Sequence, residues 1–124
     1  MYRIKETFPD LKILINGQIL SFDDVNEHLH HTDGVMIGRW AYAAPYELKD
    51  IDSVYYNDNH PILLRADIVR QLLPLIESYQ KPLNATRHLM GLYAKTPVSK
   101  VWKQTLLKNN MTDIELFLHQ NPSF

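Results

Sequence analysis

Two short motifs in the sequence carry residue types that bind phosphate. They are Asn16-Gly17-Gln18 and Gly38-Arg39. Glycine has no Cβ, so a backbone N–H at such a position can approach an anion closely, and arginine presents a permanently charged fork that matches phosphate oxygens. Amides at the start of a following helix would add positive partial charge. The alternative is that the glycines only make turns and that the arginine is an ordinary surface residue.

Each motif follows a short apolar run that ends at a glycine, which is typical of a buried strand. The runs are Leu11–Ile15 and Gly34–Ile37, and the segment between them has the spacing of an amphipathic helix. Ser21 and Asp24 have the form of a capping box at the start of that helix. Strands joined through a helix pair in parallel. The pattern therefore predicts a βαβ unit whose two strands end in phosphate-binding chemistry.

Three histidines, His28, His30 and His31, lie where this helix is expected to end. Imidazoles are zinc ligands, but histidine is also favoured at helix C-termini. No cysteine or suitably spaced acidic residue accompanies them. We therefore expect these histidines to be structural, with no metal site.

The two motifs belong to a longer series that resembles the tRNA-dihydrouridine synthases of subfamily A. The series consists of Ile15-Asn-Gly-Gln-Ile19, Asp33-Gly-Val-Met-Ile-Gly-Arg39, Ala41-Tyr42, Pro45-Tyr46, Asp52, Pro82-Leu-Asn84, Thr86-Arg-His-Leu-Met-Gly-Leu92 and Trp102. It covers nearly the whole chain in one order. The sequence departs from the family's usual pattern at Gln18, where the family has glycine, and at Trp40 and Ala44, where a small residue and asparagine are more usual.

This resemblance implies an α/β fold that comprises the last two β/α units of a (β/α)8 TIM barrel, followed by a C-terminal all-helical bundle. A complete barrel takes about 250 residues, and this chain has 124. We expect residues 1–58 to be the C-terminal part of the FMN-binding barrel and residues 59–124 to be a helical tRNA-binding domain. A part-barrel leaves strand edges uncovered, so we expect the missing N-terminal barrel portion, or self-association, to cover them.

The resemblance also implies a reaction, the reduction of D-loop uridines 20/20a of tRNA to 5,6-dihydrouridine, with FMN as cofactor and NADPH as reductant. It places Asn16, Gly17, Gln18, Gly38 and Arg39 around the FMN phosphate. The family's proton donor is a cysteine, and this chain contains none, so we expect no catalytic residue here and no activity from this chain alone. Two alternatives stay open: a fragment of another flavin-phosphate-binding barrel, and a free-standing RNA-binding or scaffold module.

Charge is distributed unevenly along the sequence. The net charge is -1, but residues 1–63 carry five Lys/Arg and ten Asp/Glu, whereas residues 64–110 carry eight and two. A basic region suits a polyanionic partner, and the resemblance implies that the helical domain holds tRNA. The alternative is an ordinary solvated helix face. The residues to which we assign tRNA binding are Lys100, Lys103, Arg87 and His88.

From Leu64 onward, the apolar spacing predicts helices. The segment before them, Asp50–Pro61, is polar and predicts an irregular connection. The predicted buried stripe of the first helix contains Ile68, Leu72, Leu75, Ile76 and Tyr79. The predicted N-caps of the later helices are Asn84, for a helix that carries Arg87 and His88, then Thr96 and Thr112.

Several classes of protein are disfavoured by composition. No apolar run approaches the roughly 18 residues expected of a membrane span, and the N-terminus does not resemble a signal peptide. The absence of cysteine excludes disulfides and thiolate metal sites within the chain. We therefore expect a cytoplasmic protein without a membrane partner.

Overall fold

The computed structural model describes residues 2–78 and 85–124. The chain divides into two compact units, Met1–Tyr42 and Ala43–Phe124. Within the described residues there are seven α-helices, two short 3-10 helices and two β-strands. The chain is therefore of mixed α/β class, with its strands in the first unit and a helical second unit.

The first unit contains the predicted βαβ arrangement. Its elements are α1 (Tyr2–Thr7), β1 (Leu14–Asn16), α2 (Phe22–Leu29), β2 (Gly34–Met36) and the start of α3 (Arg39–Ala43). The two strands pair in parallel, with Asn16 opposite Met36. Parallel pairing is confirmed, although each strand is three residues long and thus shorter than its apolar run.

Helix α2 begins at the predicted capping box. The Ser21 hydroxyl accepts a hydrogen bond from the Asp24 N–H at 3.1 Å, and the Asp24 carboxylate accepts one from the Leu20 N–H at 2.9 Å. The bond from the Asp24 N–H satisfies a donor that the first helical turn leaves unpaired. The pKa of the Asp24 carboxyl is lowered, chiefly by the Leu20 N–H and then by a hydrogen bond with the Ser21 side chain. The cap therefore fixes the point where the chain leaves β1 and enters α2.

The second unit is helical. Its elements are a 3-10 helix at Pro45–Leu48, α4 (Ile51–Tyr56), α5 (Arg65–Ser78), a 3-10 helix at Arg87–Leu89, α6 (Ser99–Leu107) and α7 (Met111–Gln120). The prediction of an irregular connection over Asp50–Pro61 is wrong in part, because α4 lies within it. Asn57, in the left-handed region with φ 55°, ends that helix, a position that asparagine tolerates better than most residues.

The core of the second unit lies between α5, α6 and α7. It contains Ala66, Val69, Leu73, Ile76, Leu89, Leu92, Tyr93, Trp102, Leu106, Ile114, Phe117 and Leu118. None of the helices in the described ranges is both long and apolar enough to cross a bilayer.

The predicted stripe of α5 is only partly correct. Ile76 is buried, and Ile68 and Leu72 are half-buried against the core, but Leu75 is 54% exposed. Tyr79 lies outside the described residues. The buried face of the helix is instead Ala66, Val69, Leu73 and Ile76. Apolar residues occupy more than one side of α5, so two stripes satisfy the 3.6-residue period, and only packing selects between them.

Two predicted N-caps in this unit are wrong. Helix α6 begins after Val98, and the Thr96 hydroxyl donates to the Tyr93 carbonyl at 2.7 Å instead of capping α6. Helix α7 is capped by Asn110, whose side chain accepts from the Thr112 N–H at 2.9 Å. The Asn84 cap lies outside the described residues. Around Arg87, the predicted helix is a 3-10 helix followed by turns.

Candidate functional site

The first candidate site is the corner where β1 and β2 end, which we call the anion corner and define as Asn16, Gly17, Gln18, Gly38 and Arg39. All five residues are exposed. Asn16 is the last residue of β1 and pairs with Met36, the last residue of β2. Parallel strands end at the same edge of a sheet. The structure therefore brings the two motifs to one edge, as the sequence predicts.

The backbone has positive φ angles at Gly17 and Gln18. Gly17 has φ +140° and Gln18 has φ 51°, so the chain turns sharply between Asn16 and the buried Ile19. L-residues rarely adopt the first of these conformations, which explains a glycine at position 17. A Cβ built on Gly17 would have no neighbour within 4 Å, so the backbone there is open to a ligand.

At Gly38 a built Cβ would meet the Met36 thioether, at 3.6 Å from the sulfur. The Gly38 carbonyl accepts from the Tyr42 N–H at 3.2 Å and so begins α3. This helix has only five residues, too short for an appreciable macrodipole. The expected contribution from helix amides at this motif is therefore small, and Arg39 is the main positive charge. Within the described residues, Arg39 has no ion-pair partner.

The buried side chain of Trp40 fixes the position of the preceding residue, Arg39. The Trp40 side chain is 6% exposed, and its ring meets Phe22 of α2 edge-on, with centroids 5.3 Å apart and planes at 76°. Edge-to-face aromatic pairs contribute about 0.5–1.5 kcal/mol beyond their buried area. Trp40 therefore holds the first turn of α3 against α2 and positions Arg39. The sequence marked Trp40 only as a departure from the family pattern, without indicating this contact.

Asp33 bonds to Lys5 and Ile13 at the N-terminal ends of β1 and β2. We call this group of three residues the Asp33 clamp. The Asp33 carboxylate lies 2.8 Å from the Lys5 ammonium and accepts a hydrogen bond from the Ile13 N–H at 2.9 Å. The Asp33 N–H in turn donates to the Ile13 carbonyl at 3.0 Å. The Lys5 hydrogen bond, followed by the Ile13 N–H, lowers the pKa of Asp33 to about 2. The clamp fixes the starts of both strands and thereby their register.

The histidines near the end of α2 contact α1. The Tyr2 hydroxyl and His28 Nδ1 form a hydrogen bond, and the Tyr2 ring stacks on His31 with centroids 4.4 Å apart. No group of three or more metal-ligating side chains occurs in the ranges that the structure describes. His28 and His31 both contact Tyr2 of α1.

The second candidate site is the basic surface of the second unit, defined by Arg87, His88, Lys100 and Lys103, all of which are exposed. Lys100 and Lys103 lie three residues apart on α6, and Arg87 and His88 begin the 3-10 helix Arg87–Leu89. Residues at this spacing are neighbours on a helix surface. Lys100 and Lys103 therefore lie side by side on the exposed surface of α6.

Trp102 joins the two elements that carry this surface. Its indole N–H donates to the Leu89 carbonyl at 2.8 Å, and its side chain is fully buried. The ring also packs against Tyr93 and Phe117, with centroids 4.8 and 5.0 Å away. Since Leu89 directly follows His88, and Lys103 directly follows Trp102, this bond fixes the two basic segments relative to one another.

The other lysines and arginines in the described part of the second unit have partners. Lys95 lies 2.7 Å from the Glu47 carboxylate, Lys108 lies 3.4 Å from Asp113 and Arg70 lies 3.1 Å from Asp67. Lys49 lies 3.9 Å from Asp50. Arg65 donates to the Leu92 carbonyl at 2.8 Å and lies 3.8 Å above the Tyr46 ring. By contrast, no acidic residue of the described chain pairs with Arg87, Lys100 or Lys103.

These features define a class of protein: a mixed α/β chain whose two parallel strands end at one edge beside exposed glycines and Arg39, and whose helical unit carries exposed basic residues. The protein-family model that describes dihydrouridine synthases (Dus) matches residues 1–121. The chain therefore belongs to the Dus family.

Curated relatives agree with this assignment. The chain is 38% identical over 113 residues to the tRNA-dihydrouridine(20/20a) synthase of Vibrio parahaemolyticus, covering 87% of this chain and 34% of the relative. It is 39% identical over 114 residues to the Vibrio vulnificus protein of the same name, with the same coverage. For the Pseudomonas aeruginosa protein of that name, identity is 40% over 108 residues, 84% of this chain and 32% of the relative. The chain thus spans about a third of the length of these relatives.

Proposed function

We propose that this chain acts as part of a tRNA-dihydrouridine(20/20a) synthase, an oxidoreductase that uses FMN and NADPH to reduce D-loop uridines. In this proposal residues 1–58 form the C-terminal part of a TIM barrel and residues 59–124 form a tRNA-binding helical domain. Family membership and the names of the relatives support the substrate class. The chain would supply the FMN-phosphate site and the tRNA-binding surface.

The anion corner fits the phosphate of a flavin nucleotide. Phosphate binding in barrels is commonly built from the loops after the last two strands, and here both strand ends are exposed at one edge. Gly17 leaves room for close approach to the backbone, Gly38 is exposed, and Arg39 offers two parallel N–H donors. Asn16 would add an amide donor, and Gln18, in its left-handed conformation, would present its backbone beside Gly17.

When bound, FMN would supply the hydride chemistry, which is the cofactor's own. The residues of this chain would bind and orient the phosphate end of the cofactor. Acid catalysis would come from outside these 124 residues, since they contain no cysteine. The target uracil must also leave its stack to reach a flavin. The protein therefore has to bind the tRNA at positions other than the reacting base. The second unit is the part of the chain that we assign to this task.

The observation that carries the RNA-binding proposal is the unequal pairing of the cations. Lys95, Lys108 and Arg70 are neutralised locally by acidic partners, whereas Arg87, Lys100 and Lys103 are exposed and have no acidic partner within the described chain. Cations without acidic partners are available to phosphates and release condensed counterions when RNA binds.

The deciding experiment compares two charge-reversal variants of equal net charge. The double variant K100E/K103E should bind unfractionated tRNA more weakly than the unaltered chain in a fluorescence assay. Its slope of log affinity against log salt should fall by roughly 2, about one for each phosphate that the variant no longer neutralises. The double variant K95E/K108E alters lysines that already have acidic partners, so it should keep nearly the original slope. Equal slopes for both variants would overturn the assignment.

A further inference from the structure

The second unit contains a pocket of about 370 Å³ that none of the residues assigned above lines. Its wall is mostly apolar and comes from the 3-10 helix Pro45–Leu48, from residues 60–63 and from Leu92. The polar side chains that line it are those of Lys49, Asp52 and His60. Ligand pockets of this size typically combine apolar walls with a few polar groups that fix the orientation of the ligand. We call it the Tyr46 pocket, after its aromatic residue.

The apolar wall of the Tyr46 pocket is held together by bonds between side chains and backbone. The Tyr46 hydroxyl donates to the Leu63 carbonyl at 3.0 Å. Arg65 donates from Nε to the Leu92 carbonyl at 2.8 Å, and its guanidinium lies 3.8 Å from the centre of the Tyr46 ring. These contacts join three separate parts of the wall, so the pocket is formed before any ligand binds.

The polar side of the pocket has unused hydrogen-bonding capacity. His60 Nε2 lies 3.8 Å from Asp52 Oδ2, which is too far for a hydrogen bond. No donor in the described part of the chain bonds to the Asp52 carboxylate. The Lys49 ammonium lies 3.9 Å from the Asp50 carboxylate, also beyond hydrogen-bond distance. The pocket therefore offers a carboxylate acceptor and an ammonium donor beside apolar walls.

A guanine base matches this combination of groups. Its Watson–Crick edge has two adjacent donors, N1–H and the N2 amino group, which the two oxygens of one carboxylate can accept together. Adenine, cytosine and uracil have no such pair of donors. Guanine O6 and N7 are acceptors for lysine. Unpaired RNA bases are commonly recognised in this way, with their faces against aromatic or apolar side chains and their edges hydrogen-bonded.

The Tyr46 pocket is joined to the basic surface of the same unit. The Leu92 N–H donates to the Leu89 carbonyl at 3.0 Å, and Leu89 ends the 3-10 helix that carries Arg87 and His88. We infer that the pocket binds an unpaired guanine of the RNA, with the Asp52 carboxylate accepting from N1–H and from the N2 amino group. The inference rests on the proposed function, because it takes RNA as the partner of this unit.

The experiment compares two labelled pentaribonucleotides that differ in one base. Both consist of uridines except at the centre, which is guanine in one probe and adenine in the other, so their phosphates are equal. The unaltered chain should bind the guanine probe about tenfold more tightly in fluorescence anisotropy, since a bidentate pair discriminates between bases by roughly that factor. Guanosine, which has no phosphate, should shift the amide NMR signals of residues 46–49 and 62–63. Equal affinity for the two probes, or unchanged signals at these residues, would overturn the inference.

Asp52→Asn tests the carboxylate. An amide cannot accept from both guanine donors, so the preference for the guanine probe should disappear, while affinity for the adenine probe should not fall. The matched control is Asp50→Asn, which makes the same change of charge at an acid that does not line the pocket and whose side chain makes no capping bond. This control should keep the preference. A preference that survives in a folded Asp52→Asn variant would overturn the inference.

Circular dichroism shows whether each variant is folded. Lys49→Ala provides a second test at an exposed position, where the substitution is compatible with folding. It should weaken guanosine binding severalfold, because it removes the donor to O6 or N7. Unchanged guanosine affinity in this variant would contradict the proposed orientation of the base.

The probes also distinguish the source of the base. If guanosine binds at the pocket but the two oligonucleotides bind equally, the ligand is a free nucleoside and the assignment to RNA is overturned. The K100E/K103E variant should leave the ratio of the two probe affinities unchanged, because the probes carry equal charge. Failure of the RNA-binding proposal would appear in the salt dependence of tRNA binding, and failure of this inference would appear in that ratio.

Discussion

The indole N–H of Trp102 donates to the carbonyl oxygen of Leu89 at 2.8 Å, inside the buried core of the second unit. This bond connects α6 with the 3-10 helix Arg87–Leu89, and these two elements carry the proposed RNA-binding residues. The positions of the exposed cations therefore depend on the buried bond between Trp102 and Leu89, although none of the cations takes part in it.

Trp102→Phe tests this dependence. Phenylalanine keeps an aromatic ring in the core but leaves the buried Leu89 carbonyl without its donor, which costs about 1–3 kcal/mol. We expect the free energy of unfolding in urea to fall by about 2 kcal/mol, and tRNA affinity to fall while the protein remains folded. Val101→Ala alters the neighbouring residue, which is exposed, and should change stability by under about 0.5 kcal/mol. An unchanged stability of the phenylalanine variant would refute the role of the bond.

Tyr93 supports a prediction of opposite sign. Its ring is buried, and its hydroxyl has no hydrogen-bond partner in the described chain; burial also raises the pKa of the phenol. An unsatisfied buried polar group costs about 1–3 kcal/mol, so Tyr93→Phe should raise the free energy of unfolding by about 1 kcal/mol. In the control Tyr46→Phe, the hydroxyl that is removed donates to the Leu63 carbonyl at 3.0 Å, and stability should fall. Destabilisation by Tyr93→Phe would contradict this account.

The sequence predicted the βαβ unit well because the apolar runs and the helix-capping pattern both indicated it. Short apolar runs ended by Gly17 and Gly38 fix the strands, and the Ser21–Asp24 pattern fixes the helix between them. The anion corner followed directly, since parallel strands end together. Local rules were thus sufficient for the two strands and for the capped start of α2.

Local rules failed where a competing local bond or a distant contact decides the structure. Thr96 satisfies the preference for an N-cap, but its hydroxyl donates instead to the Tyr93 carbonyl, three residues earlier. Leu75 fits a helical stripe, yet packing selects Leu73. The Asp33 clamp depends on Lys5, 28 positions away, and the Trp102 bond depends on Leu89. No periodicity in one sequence indicates such partners.

A prediction for the anion corner uses two flavins that differ in one group. FMN carries a phosphate and riboflavin does not, so a corner built for phosphate should bind FMN more tightly. A charge-assisted hydrogen bond contributes about 1.5–3 kcal/mol, which corresponds to roughly tenfold or more in affinity. Arg39→Ala should remove most of the difference, measured by changes in amide NMR shifts during titration. The control is Arg70→Ala, which alters a cation already paired with Asp67. Equal binding of both flavins by the unaltered chain would exclude a phosphate site.

Catalysis gives a further prediction. These 124 residues contain no cysteine, so the proton donor that the proposed reaction needs lies outside them. We expect the purified chain, mixed with FMN, NADPH and tRNA, to form no dihydrouridine and to oxidise NADPH no faster than free FMN does. Mass spectrometry of the digested tRNA measures the product directly. Dihydrouridine above the level of a control without protein would show that the chain is catalytic by itself.

The Asp33 clamp gives a prediction about pH. Folding lowers the pKa of this carboxyl from 3.8 to about 2, chiefly because of Lys5 and then the Ile13 N–H. A lowered pKa means that the unfolded chain binds the proton more readily. The clamp therefore stabilises the fold fully above pH 3.8, progressively less as pH falls towards 2, and not at all below that.

Asp33→Asn should accordingly lower the melting temperature at pH 6, and the difference from the unaltered chain should shrink between pH 4 and pH 2. Asp10→Asn, at an exposed position with no ion pair in the described chain, should show no such convergence. If the difference in melting temperature between Asp33→Asn and the unaltered chain stayed constant down to pH 2, packing and not charge would hold the strand starts together.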